Sequence, residues 1–210
     1  MNQTAPHKDL VVLVADKSME AAVRSALCRP QALRIRNITF DVYRHPQKDT
    51  GCRVRSAQFL SAFTRIYEHA IVLFDCEGSG TKASAQDTET IVERELPKAG
   101  WSNRAAAVVI EPELEAWIWS DSPVVDRILG WREKKPALPL RHWLEQKGFL
   151  AAGRVKPLRP KEALEAVLLE MKRPRTSSLY DDMAREVGLD RCADRAFLKF
   201  KKTLQSWFPP

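Results

Sequence analysis

Three short apolar runs, each ending in an acid, constrain this chain more than any other feature. They are Leu10 to Ala15 before Asp16, Ala70 to Phe74 before Asp75, and Ala105 to Ile110 before Glu111. Runs this short and rich in Val and Ile suit strands covered on both faces. The first strand is expected over Asp9–Asp16, the third over Ala70–Phe74 and the fourth over Arg104–Ile110. A second, less regular strand is expected over Leu33–Tyr43, where Ile35, Ile38, Phe40 and Val42 alternate with other residues.

Helical patterns lie between these strands. Ser18 can cap a helix over Met19–Cys28, with Glu20 favourable in its first turn. His45 to Arg53 reads as a polar loop, followed by Val54, Phe59, Leu60, Phe63 and Ile66 at helical spacing. Thr90 to Leu96 reads as a polar helix that stops near Pro97 and Gly100. The alternation predicts βαβ units and an α/β fold, a mostly parallel Rossmann-like sheet flanked by helices. Such a sheet brings the acidic strand ends to one edge, where open α/β sheets place their chemistry.

After residue 111 the texture changes, and Glu113–Trp119 reads as a short helix reaching Asp121. Helices are expected over Pro160–Met171, Leu179–Val187 and Ala193–Phe208, and they read as a helical layer on the core. Residues 8–121 would form the α/β core and 122–210 the basic C-terminal layer. Residues 1–130 carry 16 Lys and Arg against 17 Asp and Glu, a net −1, while 131–210 carry 18 against 10, a net +8. That asymmetry fits a polyanion, nucleic acid first. A solvated basic surface fits it equally. Lys134, Lys135, Lys156, Arg159, Lys161, Lys172, Arg173 and Arg175 form the strongest set for phosphate contacts. Arg44, Lys48, Arg53 and Arg55 flank the loop after the second strand. No apolar run is long enough to cross a membrane, and no signal core stands near Met1, so a cytoplasmic protein is expected. Cys28, Cys52, Cys76 and Cys192 lack zinc spacing and read as free thiols. Trp117, Trp119, Trp131 and Trp143 lie among basic residues and could stack bases, but core packing fits most of them better.

Carboxylates converging on one edge repel one another, and a divalent cation removes that cost. Asp16, Asp75 and Glu77 are the candidate catalytic residues. With Glu111 and Glu115 they are the candidate ligands of Mg²⁺ or Mn²⁺, and Lys17 and Glu20 would stand behind them. Each acid also has a plainer role, as a cap, a turn former or a surface residue. Gly78-Ser79-Gly80-Thr81-Lys82 lacks the spacing of a nucleotide-binding P-loop.

Val14-Ala15-Asp16-Lys17-Ser18-Met19-Glu20 resembles the V-E-G-x-[ST]-E opening of Toprim-like proteins, and Asp75-Cys76-Glu77 resembles their D-x-D pair. Ile110-Glu111-Pro112-Glu113-Leu114-Glu115-Ala116-Trp117 with Asp121 is similar to the P-x-x-E-L-E-A-W…D block of their small versions in bacterial defence islands. Lys156-Pro157 with Pro160-Lys161-Glu162-Ala163-Leu164-Glu165 is similar to the later K-P…K-E-A-L-E segment. The resemblance implies Mg²⁺-dependent phosphodiester chemistry on DNA or RNA. It also implies a place beside other defence proteins in an antiviral system, specifically a methylation-associated one. In the family the first acid is also the proposed general acid or base. The chain departs from the pattern with Asp16 for Glu, Lys17 for Gly and Glu77 for Asp. These departures favour the alternative, a non-catalytic DNA-binding or assembly subunit. A small-molecule phosphatase or nucleotide hydrolase shares the same metal chemistry.

Overall fold

The computed structural model describes residues 7–120, 122–131, 138–188 and 192–210. Four strands, β1 (Lys8–Val14), β2 (Phe40–Arg44), β3 (Tyr67–Asp75) and β4 (Ala105–Ile110), form one sheet in the order β2-β1-β3-β4. Every pairing is parallel, with Val14 beside Leu73 and Asp75 beside Ile110. The expected α/β class is observed. Leu10 to Val14, Ala70 to Phe74 and Ala107 to Ile110 are fully buried, which is why they read as unbroken apolar runs.

The first crossover carries α1 (Lys17–Leu27) and the short α2 (Pro30–Leu33). The next two carry α3 (Lys48–Leu60) and α4 (Ala85–Glu95). Because the chain runs outward from β1 in one direction and from β3 in the other, right-handed crossovers put α1 on one face and α3 and α4 on the opposite face. A C-terminal set follows: α5 (Glu115–Ile118), α6 (Pro123–Ile128), α7 (Leu140–Gln146), α8 (Pro160–Glu170), α9 (Ser177–Glu186) and α10 (Arg195–Trp207). Helix α9 packs along α1, where Arg29 Nη1 donates to the carbonyls of Ala184 and Val187 at 2.7 and 2.9 Å. Among the described residues no helix is long and apolar enough to cross a membrane.

Two local expectations are corrected. The second strand begins at Phe40, not Leu33. Pro30 opens a helical turn there, and Arg34 closes it in the left-handed region at φ 58°. The polar loop after it is shorter than expected, because α3 begins at Lys48. Gly51 reads as a helix breaker but is required inside this helix. A Cβ there would lie 1.9 Å from His45 Nδ1, the atom that accepts the Gln47 N–H at 3.0 Å. Helix propensity alone favours Ala over Gly by about 1 kcal/mol. Gly51→Ala is nevertheless expected to lower stability by roughly 1–3 kcal/mol through overpacking, measurable as a lower urea midpoint.

The outer edge of β4 is closed by side chains. Glu93 Oε1 accepts the Ala107 N–H and Glu89 Oε1 the Val109 N–H, each at 2.9 Å. Arg195 Nη2 donates to the Val109 carbonyl at 2.6 Å. Arg195 and Lys199, both on α10, also pair with Glu89, at 3.0 and 3.1 Å. Helices α4 and α10 therefore clasp the edge with alternating charges.

At the opposite end of the sheet, His69 on β3 stacks on Trp207 at 4.3 Å, with Phe208 edge-on. Its Nδ1 is buried and makes no hydrogen bond within the protein. Burial pushes its pKa below the ordinary histidine value, as burial and then Arg55 do for His45. The unfolded chain therefore takes up these protons first as the pH falls. The stabilisation is complete above about pH 6.5 and is lost as the pH falls through the lower folded values. Urea unfolding at pH 7.5 and 5.5 is expected to show a lower midpoint at 5.5, and His69→Phe should lessen the difference.

Candidate functional site

The sheet order creates a switch point between β1 and β3, whose following helices leave toward opposite faces. Open α/β sheets place their chemistry beyond the strand ends at such a point. Asp16 follows β1 and Asp75 ends β3, so adjacent strands bring both to this edge. The open hollow at the edge is lined by Asp16 with Arg44, His45 and Lys48, and Asp75 lies buried beside it. Asp16 caps α1, its Oδ1 accepting the Met19 N–H at 2.9 Å.

A third aspartate, Asp49, enters from the first turn of α3. Its Oδ1 accepts the backbone N–H of Asp75 at 2.9 Å, and its Oδ2 faces Gly78. Gly78 sits at φ 83°, so the turn after β3 needs glycine there. Thr50 Oγ1 donates to the Gly78 carbonyl at 3.1 Å and Arg53 Nε to the Ser79 carbonyl at 2.7 Å. These bonds fasten the start of α3 to the turn. Arg53 thus holds the site's wall.

Asp75 is the electrostatic centre of this edge. Its Oδ1 is sealed from solvent without a hydrogen-bond partner in the protein. Burial first, then the negative charges of Asp49, Glu115, Asp16 and Glu113, raise its pKa well above the ordinary carboxylate range. Asp49 is raised by burial and by Asp16, against the lowering effect of two backbone N–H groups and Lys48.

The remaining expected acids, Glu77 after β3 and those that follow β4, occupy two depths. Glu113 and Glu115 are buried, and both already have cationic partners. Lys161 Nζ stands 3.6 Å from Glu113. Arg175 Nη2 stands 2.8 Å from Glu115, which also accepts a hydrogen bond from the Tyr180 hydroxyl. Burial first, then the Glu115 carboxylate, push the Tyr180 hydroxyl pKa up, so it stays a donor. Glu77 and Glu111 lie exposed at the rim, where both help burial raise the Cys76 thiol. Glu20 is held by Arg24 and Arg44 at 2.9 and 3.0 Å, and Lys17 is exposed. The structure thus groups Asp16 and Asp75 with Asp49, which the sequence reading left in a loop, and sets Glu77 and Glu111 apart from them. Among the described residues, no three Asp, Glu, His or Cys side chains are drawn together tightly enough to hold a metal ion.

Most of the expected nucleic-acid set has structural work. Arg44, Lys161 and Arg175 pair with acids as above, and Arg173 Nη1 donates to the Ile128 carbonyl at 2.9 Å. Lys156 is half-buried, 3.4 Å from Asp194. Arg159 and Lys172 are exposed. Lys134, Lys135 and Asp121 lie outside the described residues. The tryptophans pack inward, with Trp119 Nε1 donating to the Pro160 carbonyl and Trp131 Nε1 to the Leu138 carbonyl. All four cysteines are free thiols.

Comparison with protein-family models, with curated proteins and with solved structures finds no match to this chain.

Proposed function

We propose that this chain is a cytoplasmic component of a bacterial antiviral defence system that carries out Mg²⁺- or Mn²⁺-dependent phosphodiester chemistry on nucleic acid. The observation that carries the reading is Asp75. It is a carboxylate with a sealed, unpartnered oxygen, set among four further carboxylates at the switch point of a parallel sheet. Hard oxygen donors without a cation of their own suit Mg²⁺ or Mn²⁺. Asp75, with Asp16 and Asp49 beside it, would supply the donors. As placed these side chains do not form a metal-binding group, so binding requires them to draw together, with Glu77 and Glu111 at the rim. The metal would polarise a phosphoryl oxygen or activate water. The chain's own part is to fix Asp75 through Asp49, to keep Glu113 and Glu115 neutralised by Lys161 and Arg175, and to offer the net +8 of its C-terminal part to a phosphate backbone. The place in a defence assembly rests on the Toprim-like resemblance of the three acidic segments.

A second reading, a non-catalytic DNA-binding or assembly subunit, is favoured by the same two ion pairs. They satisfy Glu113 and Glu115 without metal. One experiment separates the two readings. Wild type and Asp75→Asn are titrated with Mn²⁺ by calorimetry and assayed on single- and double-stranded DNA and RNA. Metal binding and cleavage by wild type alone support the first reading. Salt-sensitive DNA binding with no metal uptake at millimolar concentration establishes the second.

A further inference from the structure

Behind α5, away from the three aspartates, lies a partly open cavity of about 930 Å³. Its wall is apolar, built from Ala22 and Ala26 of α1, Trp117 and Ile118 of α5, and Met183 and Val187 of α9. Protein interiors pack to the density of organic crystals, so a space this large amid close-packed helices is unusual. Its volume falls in the range of small-molecule sites, which are mostly apolar with a few placed polar groups.

One charged group marks this one. Ser120 borders the cavity, but its hydroxyl is sealed off from the open space and has no hydrogen-bond partner in the protein. Lys156 lines it as well, and its ammonium makes a long 3.4 Å contact with Asp194 Oδ2. That carboxylate is already engaged. Its Oδ1 accepts from the N–H groups of Ala196 and Phe197 at 3.0 and 3.2 Å, capping α10, and from Trp117 Nε1 at 3.0 Å. The charge of Asp194 is thus spread over three other donors, and Lys156 retains capacity for a second anion. Arg195 also borders the cavity, but its guanidinium is held by Glu89 and the Val109 carbonyl.

The geometry points to a binding site for a small amphipathic molecule with an apolar body and one anionic group. The body lies between α1, α5 and α9, and the anion meets Lys156. The site shares α5 and Tyr180 with the acidic edge but uses none of its aspartates, so it stands whether or not that edge binds metal.

The test uses two fluorescent probes with the same aromatic body, anionic 8-anilinonaphthalene-1-sulfonate and neutral N-phenyl-1-naphthylamine. The full-length protein is expected to bind one equivalent of the sulfonate, about tenfold more tightly than the neutral probe, as one charge-assisted hydrogen bond implies. Lys156→Gln should bring the two affinities together. Ala184→Trp, which fills the cavity from α9, should weaken both by about tenfold or more. Non-saturable binding, several equivalents, or unchanged affinity in a folded Ala184→Trp variant overturns the site. Equal affinities for the two probes on wild type, or no change in Lys156→Gln, overturns the anionic assignment. Lys156→Gln and the probe comparison decide the matter even if Ala184→Trp fails to fold.

Discussion

Asp75→Asn is expected to make the metal-free protein more stable at neutral pH while destroying its response to divalent cations. The carboxyl's folded pKa lies well above the ordinary carboxylate value of about 3.9. The stability it contributes is therefore fully present below about pH 4 and is lost as the pH rises through the raised folded value. At pH 7 the unfolded carboxyl is ionised, and the folded chain must either protonate Asp75 or hold its charge in a buried place beside Asp49, Glu115, Asp16 and Glu113; the amide relieves both costs. A gain of about 1–2 kcal/mol corresponds to a melting point higher by roughly 2–8 °C for a domain of this size. Millimolar Mn²⁺ should raise the wild-type melting point and leave the variant unmoved. Scanning calorimetry at pH 7, with and without Mn²⁺, provides the measurement. A variant less stable than wild type in the absence of metal would remove the electrostatic argument for a cation site. Asp49→Asn should behave similarly but less cleanly, because Asp49 also accepts the Asp75 N–H.

Glu89→Ala should cause the largest loss of stability. Glu89 is buried between two cations and also accepts the outward N–H of Val109. Removing it leaves Arg195 and Lys199 without that partner and an edge N–H without an acceptor. The expected cost is about 3–5 kcal/mol, in line with broken buried ion pairs. Some of that is recovered because Arg195 and Lys199 are each about one-third exposed and Lys199 keeps Glu93 at 2.8 Å. A second effect should accompany the first. An open edge strand pairs with other chains, so Glu89→Ala should also self-associate in light scattering. Glu89→Gln keeps an acceptor for Val109 and should lose stability without the same association. If Glu89→Ala unfolds at the wild-type urea midpoint, the clasp contributes nothing.

The sheet was legible because its strands are buried on both faces. Leu10–Val14, Ala70–Phe74 and Ala107–Ile110 have no polar face, and their lengths exclude helices. Asp16 and Asp75 were legible for the same reason, since a parallel sheet fixes where strand ends go. Asp49 was not legible. Gly51 signals a break, and only the His45 ring packed against it reveals why a helix needs a glycine there. A local sign of helix α4 did exist, since Ser84 accepts the Asp87 N–H and caps it from well before Thr90. Glu93 falls within the polar helix expected from Thr90, and Glu89 lies just before it. Their role depends on Arg195 and Lys199, more than a hundred residues later, and no local pattern encodes it.

The packing of α10 and the residues after it also governs when the core can finish during synthesis. Arg36 N–H bonds the Phe208 carbonyl at 3.1 Å, Trp207 covers His69, and Gln205 Nε2 bonds the Leu33 carbonyl at 2.8 Å. The early part of the chain is thus completed by residues made up to 172 positions later. A ribosome-bound chain ending before Arg195 has all four strands but lacks the clasp on β4 and the cover over β3. Such an intermediate is open to wrong pairing for as long as elongation takes. The chain's most vulnerable moment is therefore set by translation speed, and slow codons just upstream of residue 195 would prolong it.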